Sequence, residues 1–136
     1  MMLADAAQAV NGKLYILGGG WSVIYGAAPA AIALKIEVPW NEAGDTHTLR
    51  VELLDADGRP VLGPDGERPL VKIDGTFKTG VPAGLKPGLP VDAVQAFGIP
   101  PLPLEPGRYV WKLSIDGRER EDWSLAFTRA ERPAGS

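Results

Sequence analysis

The chain has no cysteine and only one histidine, His47. Without thiols there is no disulfide frame, no thiolate nucleophile and no sulfur-ligated metal. Serine is nearly as scarce: Ser22, Ser114, Ser124 and Ser136 are the whole set, and none sits in a nucleophile-elbow pattern. A Ser-His-Asp arrangement could use only His47, which precedes an apolar strand pattern and is expected as a half-exposed residue at its entrance. An excess of positive charge is also missing. A formal net charge of −3 leaves no basic stripe for a polyanion, so nucleic acid is not an expected partner. No apolar run is long enough to span a bilayer, and the first residues lack the basic region of a secretory leader. The expectation is a soluble, cytoplasmic protein with no membrane association and no cofactor.

Glycine and proline, in contrast, are plentiful. There are 17 and 13 of them among 136 residues, spread along the chain, which indicates many turns and few long helices. Between the turns, apolar residues recur with period two. Tyr109, Trp111, Leu113 and Ile115 alternate with Val110, Lys112, Ser114 and Asp116. Similar alternation runs through Ile32, Leu34, Ile36 and Val38, through Leu49, Val51 and Leu53, and through Trp123, Leu125 and Phe127. Asn11-Gly12, Asp57-Gly58, Asp65-Gly66 and Asp116-Gly117 are pairs that suit type I′ hairpin turns. Residues 3–9 are alanine-rich, but they run into Asn11-Gly12 and a strand pattern, so they read as the first arm of a hairpin.

Prolines punctuate 79–90 and 98–106, which are expected as a loop and as an extended connection into the strand opened by Gly107. Eight or nine short strands at this spacing predict an all-β fold: a two-sheet antiparallel β-sandwich, immunoglobulin-like or C2-like. The length suits one domain over residues 1–129, burying roughly 65–70% of the unfolded surface. A loose tail is expected over 130–136.

Few residues invite chemistry. Gly18, Gly19 and Gly20 follow an apolar strand, as a phosphate loop would. However, no Lys-Ser/Thr pair or helix start comes next; Trp21 and a β-branched run do. The triplet is therefore expected to be a bulge or hinge, with Trp21 packed over it and mostly buried. Asp55, Asp57 and Asp65 could gather a weak calcium ion, but their spacing is not that of an EF-hand, and turns explain them without a metal. A carboxylate-dependent hydrolase needs two facing acids; Asp74 and Asp92 come nearest to interrupting an apolar face. Trp111 and Trp123 lie on apolar strand faces. Trp40, after Val38-Pro39 at a strand end, is the tryptophan best placed to contact a ligand or partner, as is His47.

The segments 3–8 and 12–21, which read LADAAQ and GKLYILGGGW, resemble a family of short uncharacterised bacterial proteins. The likeness continues through Lys35 to Trp40, through Arg50 to Gly58, and through Pro106 to Trp111. It implies no activity, since that family has none assigned, and it carries no catalytic residues. The strand around Arg108 to Gly117 also resembles strands of immunoglobulin-like and C2-like sandwiches. The expected function is a non-catalytic module that binds a protein partner or assembles with copies of itself through its strand edges. The alternatives are a small-ligand or carbohydrate binder using Trp40 and the 79–90 loop, and a carboxylate-dependent hydrolase.

Overall fold

Alternating side chains drive nine strands of the described residues into two sheets. The computed structural model describes residues 1–80, 84 and 86–131. Among these, the strands are β1 (Met2–Val10), β2 (Lys13–Gly19), β3 (Val23–Tyr25), β4 (Ala30–Val38), β5 (Thr46–Asp55), β6 (Lys72–Lys78), β7 (Val91–Ile99), β8 (Gly107–Ile115) and β9 (Arg118–Ala130). A 3-10 turn, Trp40–Glu42, follows β4. No helix among the described residues is long and apolar enough to cross a membrane. One sheet has the order β2-β1-β4-β7 and the other β3-β9-β8-β5-β6.

Register follows the apolar pattern, because a slip of one residue would turn each apolar set toward water. Leu53 lies opposite Trp111, and Val51 opposite Leu113; in the other sheet Ile32 faces Phe97 and Val38 faces Val91. Both sheets feed one core. Leu3, Ile32 and Leu34 from the first sheet join Val51, Trp111 and Phe127 from the second. Ile32 and Val51 are fully buried, and each such side chain contributes roughly 1.5–3 kcal/mol relative to exposure.

Several expectations need correction. The pairing is not wholly antiparallel: β3 runs parallel to β9, with Val23 opposite Thr128 and Tyr25 opposite Ala130. The chain leaves the first sheet at the glycine triplet and joins the edge of the second in the direction β9 already takes, with Thr128 N–H donating to Ser22 O at 2.8 Å. Ala130 therefore closes β9, so a tail can begin no earlier than Glu131; residues 132–136 lie outside the described set. Likewise β7 extends through Ile99, so the proline-rich connection is 100–106. In the expected 79–90 loop, residues 81–83 and 85 lie outside the described residues.

The turns divide into two kinds. Asn11 and Gly12 (φ 51° and 74°) and Asp116 and Gly117 (φ 51° and 76°) are left-handed at both centres, as a type I′ turn requires. At Asp57-Gly58 and Asp65-Gly66 only the glycine is left-handed. Those two pairs do not join paired strands. They shape the excursion between β5 and β6, which is held by single bridges, Leu54 to Pro60 and Leu62 to Pro69.

Candidate functional site

The hairpin β1–β2 is the least buried part of the first sheet. β1 pairs with β4 only through Met2, Leu3 and Ala4; from Ala6 onward it pairs with β2 alone. Its tip leans toward β7, and Ala9 and Gly12 share a recess with residues 91–95. Ala6, Gln8 and Val10 lie opposite Leu17, Tyr15 and Lys13, so these pairs share one face of the ribbon. Tyr15 is 57% exposed and Leu17 is 70% exposed, and Ile16 on the opposite face is also exposed. β2 is an edge strand and has no charged residue after Lys13.

The glycine triplet ends that edge. Gly18 and Gly20 are left-handed, at φ 60° and 91°. The dihedral favours glycine, and the Asp5 carboxylate lies where a side chain on Gly18 would project, so any other residue there would also have to displace it. Trp21 Nε1 donates to Asp5 Oδ1 at 3.1 Å, and Gly20 N–H donates to Leu3 O at 2.8 Å. A carboxylate over the glycines repels phosphate, and Gly20 N–H is already used. Trp21 is half-buried and lines a narrow apolar slot with Leu3, Ile24, Leu102 and Trp111.

At the other end of the fold, His47 does stand at the entrance of β5, but it is buried there, 6% exposed and on the inward side, and not half-exposed. It stacks on Phe77 with centroids 5.3 Å apart. Nδ1 lies 2.7 Å from Asp116 Oδ2, and Nε2 lies 3.3 Å from Glu42 O. Both ring nitrogens therefore face acceptors, an arrangement that suits the imidazolium. The hydrogen bond to Asp116 is the main cause raising the His47 pKa above its ordinary value, against the opposing effect of burial. His47 correspondingly holds the Asp116 pKa below the usual carboxylate value, helped by the Thr48 N–H at 2.9 Å. With both nitrogens engaged, His47 has no free atom to activate a serine.

His47 and Asp116 border an open recess of about 690 Å³ whose wall includes Glu42, Arg118, Glu119 and Trp123. Arg120 lies over the Trp123 ring at 5.7 Å. Trp40, 38% exposed, opens the 3-10 turn whose Glu42 carbonyl meets His47. The other acids are dispersed. Asp55 Oδ1 accepts the N–H groups of Asp57 and Arg59 at 2.9 and 3.0 Å, and Asp65 Oδ1 accepts those of Glu67 and Arg68, both at 3.0 Å. Asp74, on β6, pairs with Arg50 at 2.7 Å, which holds its pKa down and keeps it ionised. Asp92 pairs with Lys35 at 3.8 Å on the other sheet. The two acids thus stand on different sheets, each partly exposed and paired with a cation, and do not face each other as a hydrolase pair would.

Sequence reasoning missed Asp116 and Glu42 as the partners of His47, and it passed over Tyr15 and Leu17. The second pair did leave a trace: Leu14, Tyr15, Ile16 and Leu17 are apolar on both strand faces, between Lys13 and the glycine triplet.

Comparison with known proteins gives a family but no activity. The family model for DUF6941, described as a family of unknown function, matches residues 1–128, and the chain belongs to that family. Among curated proteins none matches it.

Proposed function

We propose that this member of DUF6941 is a non-catalytic interaction module that docks a protein partner, or another copy of itself, along the free edge of β2. The observation that carries this reading is the edge strand β2, uncharged beyond Lys13, on which Tyr15, Ile16 and Leu17 stand exposed together. Edge strands in soluble proteins are ordinarily blunted by charge, proline or cover, and one left bare is a template for another strand. The scaffold we envisage is a face-to-face β-sandwich of immunoglobulin-like or C2-like kind, working in the cytoplasm without membrane or nucleic acid. The single core shared by both sheets supports it. So does Tyr109, whose hydroxyl donates to Glu105 O at 2.7 Å, the back-bond of a tyrosine corner.

Replacing Tyr15 by a photo-crosslinking phenylalanine in the host cell tests this reading. Discrete adducts are expected there and not from the same probe at Glu37, which is exposed on β4. Equal labelling at the two positions would overturn it.

A second reading, a small-ligand binder, draws on the recess beside His47, where Arg120 and Trp123 supply charge and a ring face. A glycan panel that leaves tryptophan fluorescence unchanged would remove it.

A further inference from the structure

The four edge strands are not equally available. β3 has only three residues, β6 carries Lys72, Asp74 and Lys78, and β7 carries Asp92 near its start and is half-buried from Val94 to Phe97. Shortness and charge both discourage strand addition. β2 is longer than β3, is exposed from Tyr15 to Gly19, and keeps its single charge, Lys13, at its first position.

The hydrogen-bond phase of that edge can be worked out from its turn. In a two-residue hairpin the closing pair, here Val10 and Lys13, exchanges its backbone hydrogen bonds. The phase alternates, so Tyr15 and Leu17 also bond inward to β1. Leu14 and Ile16 then direct their N–H and C=O groups away from β1, on the side where none of the described strands pairs with β2. The extended stretch is bounded by Gly12 at one end and by left-handed Gly18 at the other, and its midpoint is Tyr15.

Resting on the reading of β2 as a docking strand, we infer that its partner is the β2 of a second copy, paired antiparallel about a two-fold axis at Tyr15. This register alone matches all five residues from 13 to 17 against their copies. Leu14 and Ile16 meet the partner's Ile16 and Leu14 with their free backbone groups in phase. Tyr15 meets Tyr15, and Leu17 covers the alkyl stem of Lys13, so the two most exposed large apolar side chains of the described chain leave water together. A two-fold axis places each contact twice, as an isologous interface requires.

The absence of native cysteine makes the register directly readable. Sedimentation equilibrium of the purified full chain should give twice the chain mass. Tyr15→Cys should form a disulfide-linked dimer under mild oxidation, because directly opposed residues outside the hydrogen-bonded pairs have Cα atoms about 4.5 Å apart. A mixture of Lys13→Cys and Leu17→Cys should cross-link as a heterodimer, faster than either variant alone. Ile16→Pro removes an N–H that β1 does not use, and should weaken self-association roughly tenfold to hundredfold through the two symmetric hydrogen bonds lost. Should that variant fail to fold, the cysteine pairs still decide the register. A monomer at all concentrations overturns the inference, as does cross-linking of Tyr15→Cys to Leu17→Cys in preference to itself. A monomer whose Tyr15 probe still captures another protein in cells would sink the self-pairing and leave the docking strand standing. No adduct of any kind would sink both.

Discussion

His47 Nδ1 and Asp116 Oδ2 lie 2.7 Å apart although 69 residues separate them in the chain. Pairing of β5 with β8 brings them together: Leu49 sits opposite Ile115, which places the β8–β9 turn beside the start of β5. Asp116 is left-handed at φ 51°, and in that conformation its other carboxylate oxygen receives the Thr48 N–H. One turn residue thus anchors the entrance of a neighbouring strand.

That pair sets a pH dependence. The imidazolium is favoured in the folded state, so the contribution of His47 is fully present below about pH 6.5 and is lost as pH rises through its higher folded value. The contribution of Asp116 is present above about pH 3.8 and is lost as pH falls through its lowered folded value. The pair therefore acts at full strength between those two limits. Urea midpoints should fall as pH is raised above 6.5. Asp116→Asn keeps a residue tolerant of left-handed φ. It should cost about 1–2 kcal/mol at pH 5–6, allowing for solvent at the half-exposed carboxylate, and should flatten the slope above pH 6.5.

The tryptophan and core positions separate in energy as they do in burial. Ile32→Ala, at a fully buried site of β4, should cost about 2–5 kcal/mol. Trp40→Ala, on the exposed 3-10 turn, should cost less than about 1 kcal/mol. Chemical denaturation of both variants checks the order, and a larger loss at Trp40 would place its ring in the core.

Calcium should not stabilise the protein. One oxygen of each carboxylate, Asp55 Oδ1 and Asp65 Oδ1, already accepts two backbone N–H groups within its own turn. A site with a weak dissociation constant of about 1 mM would add about 1.4 kcal/mol at roughly 10 mM calcium. A thermal melt with and without calcium should show no such shift; a rise of that size would mean the turns reorganise around the ion.

The strands were legible wherever one face meets the core and the other meets water. Tyr109, Trp111 and Leu113 on β8 announce their inward face, and Leu49, Val51 and Leu53 do the same on β5. What escaped was long-range. Nothing local in Val23-Ile24-Tyr25 says that its neighbour will be β9, or that the pairing will be parallel. The burial of His47 depends on Asp116 and Phe77, contributed by other strands. Asp57-Gly58 and Asp65-Gly66 share the composition of a type I′ turn, yet only their glycines take left-handed φ, because the chain there makes an excursion instead of returning directly.

The glycine triplet supplies the sharpest test of local geometry. Gly18→Ala must place a methyl group in the left-handed region, which costs about 1–2 kcal/mol by itself. The same methyl collides with the Asp5 carboxylate, whose Oδ1 also receives the Trp21 indole N–H. The two penalties can be separated. Asp5→Ala removes the collision and the indole hydrogen bond but leaves the dihedral strain untouched. The double variant should therefore be more stable than the sum of the two single losses predicts, with a coupling of about 0.5–3 kcal/mol, as for directly contacting residues. Gly20→Ala is strained by its dihedral alone, since the space around it is open, and should show no coupling to Asp5. Additive losses at Gly18 and Asp5 would mean that the carboxylate moves aside freely and that only the backbone angle demands glycine.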